Sequence, residues 1–427
     1  MNLLILTPYI PYPVNSGGNQ GFFGLVDRIR KQVNISIVFI EQKGDDEKIA
    51  QLQKLWSDVQ FHIYKQTEEQ PDVEVKKVSY YKILSKIKAS AERKIKRLIT
   101  AKDDKDSVVR KYSSLYSNYY SPLSVGYVDF VDAVLRGNSY DLIQVDFFEL
   151  ITIANILPKG VKKVFIHHEL RLAKCQCEYS LLQHPTSEDR YMLNYSNNFE
   201  LQYLRQYDHV VAMTQVDKNK LDKYLDPTTV SVSPAIVNVD VEKLKSTGFR
   251  FNNDLIFLGG CYHYPNVDGL MWFLDSCWGK ISQQSPDAKL HVIGKWSDKW
   301  QKQIEARHRN VLFLGYIEDL TEYLKNKIMI VPVRIGSGVR IKALDGIVNG
   351  TPIVSTTIGV EGLNMTDGQE CLIADDAEGF SAAVLRLMDD HDLAESLQAG
   401  AKKKMEMYAH PDKLAQCRLD IYRSITE

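Results

Sequence analysis

Short apolar runs rich in β-branched residues, separated by longer amphipathic stretches, recur along nearly the whole chain and restrict its fold more than any other feature. In the first half these runs are Leu3–Leu6, Ile35–Ile40, Leu142–Val145, Val164–His167 and Val210–Met213. In the second half they are Leu255–Leu258, Leu290–Ile293, Val311–Leu314, Met329–Val331 and Ile353–Ser355. Runs that are apolar throughout belong to strands covered on both faces, and an intervening helix returns the chain to start the next strand in parallel. Two such series, each with its own glycine-rich turn, predict an α/β protein of two doubly wound, Rossmann-like domains. The 427 residues accommodate both, since a domain takes roughly 150. The periodicity breaks over Ser233–Asp240. The expected division is an N-terminal domain over 1–235, a C-terminal domain over 236–410, and a last amphipathic helix over 411–427 bearing Leu414, Cys417, Leu419 and Ile421.

Charge and composition narrow the partners. With 53 basic and 54 acidic side chains the net charge is −1, so no field of the whole molecule draws nucleic acid and none is expected as a partner. No apolar run reaches the roughly 18 residues of a membrane-spanning helix. Met1–Pro8 lacks the basic lead-in of a secretory signal and reads as a first strand. The six cysteines form no CxxC pair and no zinc box, which fits reduced thiols in a cytoplasmic protein. Asp103-Asp104, Asp375-Asp376 and Asp389-Asp390 fall in loops or at helix edges, so no metal is expected.

One segment departs from the pattern. Between Val75 and Ile99, inside an insertion of about 74–120, Lys76, Lys77, Lys82, Lys86, Lys88, Arg93, Lys94, Lys96 and Arg97 face Glu92 alone. Apolar residues recur there at near-helical spacing. Such a helix either lies on an anionic membrane surface, making the protein peripheral on the inner face of the cell membrane, or packs on its own domain as a solvated face. Tyr112, Tyr116, Tyr119 and Tyr120, which follow, fit an interface or a core.

In doubly wound sheets ligands bind beyond the carboxyl ends of the strands, and three loops qualify. The first, Pro8–Gln20, carries Gly17 and Gly18, whose lack of a Cβ lets the backbone approach a ligand. The second runs from a strand end at Pro332 through Gly336-Ser337-Gly338-Val339-Arg340 into a helix that should end at Asn349, with Gly350 as its stop. Ile341, Leu344 and Val348 should face the sheet. The helix start offers free N–H groups to an anion, and Arg340 and Lys342 add charge beside it. Asp345 either accepts hydrogen bonds from sugar hydroxyls or pairs with Lys342. The third loop is His167-His168-Glu169 at a strand end, where His168 suits proton handling and Glu169 could orient it. Asp146 and Glu149 follow another strand at the same rim, as helix caps or, together with Glu169, as acceptor-side candidates.

With these motifs in order, the chain resembles the GT-B glycosyltransferases of retaining family 4, also called glycosyl transferases group 1. The resemblance rests on Phe257–Gly269, on His291–Gly294, on Val311–Leu320, on Pro332–Asp345 and on Gly350–Leu363, with a looser match at Pro11-x-Pro13, Gly17-Gly18 and His168-Glu169. It implies two Rossmann-like domains with a nucleotide diphosphate sugar, UDP or GDP, in the cleft. It places Tyr316 and Ile317 at the base, Asp345 at the ribose, Gly336, Ser337, Gly338 and Val339 along the diphosphate and donor sugar with Gly17 and Gly18 opposite, and His168, Arg340 and Lys342 at the reaction. The last helix would cross back to the N-terminal domain. A retaining, hexosyl-type, metal-independent transfer to a glycan or lipid-linked acceptor in bacterial surface polysaccharide or glycoconjugate synthesis is implied, with no cofactor. Two departures stand out: Ser337 replaces the family's first glutamate, and Gly260 and Asn266 fall where an arginine and a lysine are usual, leaving Arg340, Lys342 and Lys295 to neutralise the diphosphate. The alternatives are an inactive GT-B scaffold that binds a nucleotide or sugar, and a nucleotide-sugar epimerase.

Overall fold

The computed structural model describes residues 1–14, 17–65, 105–117, 120–237, 253–405 and 410–427. The basic stretch Lys76 to Ile99, Tyr119 and Asp103-Asp104 lie outside the described residues.

The first sheet contains β1 (Asn2–Leu6), β2 (Asn34–Glu41), β3 (Gln60–Lys65), β4 (Leu142–Asp146), β5 (Lys162–His167), β6 (His209–Ala212) and β7 (Val230–Val232), in the order β3-β2-β1-β4-β5-β6-β7. The second contains β8 (Leu255–Leu258), β9 (Leu290–Ile293), β10 (Val311–Gly315), β11 (Ile328–Val331), β12 (Ile353–Ser355) and β13 (Leu372–Ile373), in the order β10-β9-β8-β11-β12-β13. Every pairing is parallel. The ten apolar runs are strands in this architecture. The remaining three, β3, β7 and β13, are edge strands. β3 interleaves Gln60, His62 and Lys65 with its apolar residues, and β7 and β13 are too short to read as runs. Strand order reverses between β1 and β4 and again between β8 and β11, so a crevice opens at the carboxyl ends of both pairs.

Both sheets are packed on two faces. Leu3, Ile5, Phe22, Val26 and Ile37 fill one side of the first sheet, and Leu4, Leu6, Val131, Ile143 and Phe165 the other. Leu255, Phe257, Phe273 and Phe380 do the same for the second, opposite Ile256, Met329, Leu344 and Ile353. The helix Ile341–Val348 ends as expected, with Gly350 at φ +71°. Its buried face is Ala343, Leu344 and Ile347, with Ile341 partly buried against the same core; Val348 is not part of it, because Gly346 lets the helix settle against the Met329 sulfur on β11.

The helix Pro411–Thr426 lies on the first sheet. Ala415, Leu419 and Tyr422 are buried in that core, Arg418 donates to the Ser233 carbonyl at 3.1 Å, and the Tyr422 hydroxyl donates to Gln144 Oε1. Cys417, expected on the apolar face, is exposed, and Arg418 takes the buried place instead because its guanidinium meets the Ser233 carbonyl.

Candidate functional site

One wall of the cleft is built on β4 and β5. Asp146 ends β4 and pairs in register with Ile166, two residues before His168. This brings Asp146 Oδ1 to 2.7 Å from His168 Nε2, while Gln144 Nε2 donates to Asp146 Oδ2 at 2.5 Å. Between them Phe147 adopts φ +68°, a strained conformation for an aromatic residue, and turns its ring onto the His168 imidazole at 4.1 Å. Gly18 packs against that ring, where a Cβ would come within 3.1 Å of it, so the glycine serves close approach. Gly17 opens the helix Gly17–Ile29.

Glu169 does not orient His168, as the sequence suggested. Asp146 does so, because its strand neighbours β5, and Glu169 turns the other way, to Lys174 Nζ at 2.8 Å. Burial would raise the Glu169 pKa, but Lys174, with His263 and Arg340 nearby, holds it at about 2. His263, on the facing wall, is pushed down to about 4 by burial and then by Lys174. Glu149 is exposed at the start of the 3-10 helix Phe148–Asn155 and has no contact with the other candidates among the described residues.

The second wall follows β11. Lys342 Nζ donates to Asn266 Oδ1 at 2.6 Å, and Asn266 Nδ2 donates to the Gly260 carbonyl at 3.0 Å. Burial, and then Arg340, lowers the Lys342 pKa to about 7. Arg340 donates one Nη1 hydrogen to the Ser337 carbonyl, while its Nε and Nη2 are buried without a partner. Asp345 makes no ion pair with Lys342, and burial lifts its pKa to about 6. Arg334, by contrast, is neutralised by a bidentate pair with Asp268 at 2.7 and 3.1 Å. Among the described residues Arg340 and Lys342 therefore have no carboxylate within 4.0 Å, although both are half-buried. Tyr316 is exposed beyond β10 under Lys295, and Ile317 is half-buried in the second core.

The two walls touch. The Ser337 hydroxyl accepts from the Leu170 N–H at 2.5 Å and donates to the Leu170 carbonyl at 3.3 Å, so it faces the other sheet's loop. The Gly338 N–H donates to Asp217 Oδ2 at 3.0 Å. Gly338 sits at φ +78°, where a side chain would run into the His168 carbonyl oxygen. Val339 packs on apolar residues of both sheets, and Lys220 pairs with Glu361 at 3.0 Å.

Of the sequence candidates, Gly18, Asp146, His168, Glu169, Gly336, Ser337, Gly338, Val339 and Arg340 are gathered where the walls meet, with Lys342 and Asp345 on the helix behind. Lys174, His263, Asn266 and Asp217 were missed. Lys174 sits five residues after Glu169, and the Thr214-x-x-Asp217 pattern marks a helix cap, but neither spacing says which way the carboxylate turns. No group of three or more His, Cys, Asp or Glu among the described residues could hold a metal ion.

Comparison with known proteins agrees with this fold. Residues 252–390 match the family model described as glycosyl transferases group 1. A protein of the cps region of Klebsiella pneumoniae, 44.6 kDa and uncharacterised, is 31% identical over 142 residues, 31% of this chain and 37% of that protein. The match thus spans a little over a third of that relative. Among solved structures, TarM superposes with a TM-score of 0.65 at 12% identity, covering 100% of this chain and 98% of that one. HepE of Anabaena in complex with UDP gives 0.62 at 12% identity over 99% and 100%. An E. coli structure titled trehalose-6-phosphate, bound with UDP-2-fluoro glucose, gives 0.61 at 13% identity over 100% and 99%. Residues 252–390 thus match a glycosyl transferases group 1 domain, set in a chain of GT-B fold.

Proposed function

We propose that the protein moves a sugar from a nucleotide diphosphate sugar, UDP- or GDP-linked, to a glycan or lipid-linked acceptor, with retention and without a metal ion. The observation that carries this reading is the pair of unneutralised cations, Arg340 and Lys342, held at one helix start opposite His168 and Asp146. Cations kept without a carboxylate in contact, in a half-buried wall, await an anion, and a departing nucleoside diphosphate develops that charge as the glycosidic bond breaks. Asp345 would receive the ribose hydroxyls, and His168, set by Asp146, would meet the reacting sugar. Solved structures of HepE in complex with UDP and with UDP-glucose support the donor class. The cps region of the Klebsiella relative supports surface polysaccharide synthesis as the setting.

A cytoplasmic protein resting on the inner membrane face through Lys76–Ile99 completes the proposal. No helix among the described residues is long and apolar enough to cross a membrane. Reversing the charge of Lys86, Lys88, Lys94 and Lys96 should release the protein from vesicles containing anionic lipid; a wild type that never binds such vesicles rejects that part alone.

A thermal-shift screen with UDP, GDP, ADP and CMP sugars tests the donor, because a ligand held by the native state raises its melting temperature. A flat response to all of them would remove the reading. A second reading, a scaffold that binds nucleotide without turnover, is favoured by Ser337 engaging Leu170 instead of a ligand. It would show as nucleotide binding with neither transfer nor hydrolysis of the sugar.

A further inference from the structure

Glu169 reaches the Gly336 end of the Gly336–Arg340 loop from the opposite wall, while Asp217 is occupied by the Gly338 N–H. Its Oε2 is held by Lys174, whereas Oε1 has no hydrogen-bond partner among the described residues. A Cβ placed on Gly336 would lie 3.1 Å from Glu169 Oε1 and 2.6 Å from Arg340 Nη2, so the free oxygen and the unpartnered guanidinium nitrogen converge on the bare backbone of Gly336. A third of the Glu169 side chain remains accessible, 33%, against 9% for Lys174. Ser337, the neighbouring polar side chain, is turned to Leu170 and offers nothing there.

These groups make opposite demands on a ligand. A charged carboxylate oxygen takes only hydrogen-bond donors and repels phosphate oxygens, while Arg340 wants an anion. A polyol joined to a phosphate satisfies both. We propose that Glu169 is a specificity-determining residue that binds a hydroxyl of the transferred sugar, supplied by the first sheet across the cleft to a neutral, hydroxyl-rich donor sugar. This inference rests on the donor site proposed above and reassigns Glu169 from the acceptor side to the donor side. Lys174 acts with it as a positioning residue, keeping one carboxylate oxygen engaged and the other free.

The test is calorimetry on the full chain with UDP and UDP-glucose, and GDP and GDP-mannose in parallel, for the wild type and Glu169→Gln. The diphosphate alone should bind Glu169→Gln as well as the wild type or more tightly, since a negative neighbour has gone. The nucleotide sugar should weaken by about tenfold, in keeping with loss of a charge-assisted hydrogen bond. Equal effects on both ligands, or no effect on either, would overturn the inference and leave the donor site standing. Failure of every diphosphate to bind the wild type would overturn the donor site itself. Should Glu169→Gln fail to fold, monodeoxy analogues of the bound sugar nucleotide on the unaltered chain decide the matter. One missing hydroxyl should cost about tenfold in affinity, and indifference to all of them rejects the contact.

Discussion

The ammonium of Lys342 donates to a neutral amide, Asn266 Oδ1 at 2.6 Å, and meets no carboxylate among the described residues. Its charge is therefore positioned without being cancelled, and burial, then Arg340, leaves its pKa at about 7.

A phosphate arriving beside Lys342 should raise that pKa, so binding of UDP at pH 8 should take up protons. Calorimetry in two buffers of different ionisation enthalpy reads the number directly, and Lys342→Met should abolish the uptake and lower turnover by about a hundredfold. In the free protein the folded pKa lies below the ordinary 10.5, so the unfolded chain binds more protons in between. Stability should rise with pH from about 7 towards 10.5, and Lys342→Met should flatten that rise. A melting temperature that falls over this window contradicts the assignment.

Asp345 gives the opposite slope. Burial raises its pKa from 3.8 to about 6, so the folded protein binds more protons between those values and loses stability as pH climbs through them. Asp345→Asn should remove this loss, raising the melting temperature at pH 7, while weakening nucleotide affinity by about tenfold. Unchanged affinity would count against a ribose contact.

Ser337→Ala should lower stability by about 1–2 kcal/mol in urea unfolding, because the buried Leu170 N–H loses its acceptor, while the Leu170 carbonyl keeps only the Lys174 N–H. Leu170 is the cap position of the helix Arg171–Ser180, so the loss should also loosen the joint between the sheets. Hydrogen exchange at residues 170–174 checks this, and unaltered protection there would refute it.

His168→Ala should reduce kcat by about a hundredfold with diphosphate affinity unchanged. Asp146→Asn should cost less, since an amide can still hold the ring by one hydrogen bond though it no longer favours the same tautomer. If Asp146→Asn leaves kcat untouched, the imidazole does not depend on its partner.

The sheets were legible in the sequence because their central strands are covered on both faces and carry unbroken apolar runs, as in Leu3–Leu6 and Leu255–Leu258. Edge strands such as β3 alternate with polar residues and resemble loops. The motif around Gly336–Asp345 exposed Arg340 and Lys342, since a glycine turn before a helix concentrates both in one short stretch. Their partners were invisible for a geometric reason. Asn266 lies 76 positions from Lys342, and Leu170 lies 167 from Ser337, separations set by how two sheets meet. Glu169 was misassigned because adjacency to His168 suggested a bond, whereas neighbouring parallel strands turn successive side chains apart and deliver Asp146 in its place.

The helix Pro411–Thr426 supplies Ala415, Leu419 and Tyr422 to the core of the sheet that begins at Asn2. During synthesis, then, the first sheet emerges with an open apolar flank that stays uncovered until the second sheet has followed it. Any early-folded half is an unfinished one. Separate expression of the two sheets should yield a sticky first piece unless the closing helix is grafted onto it.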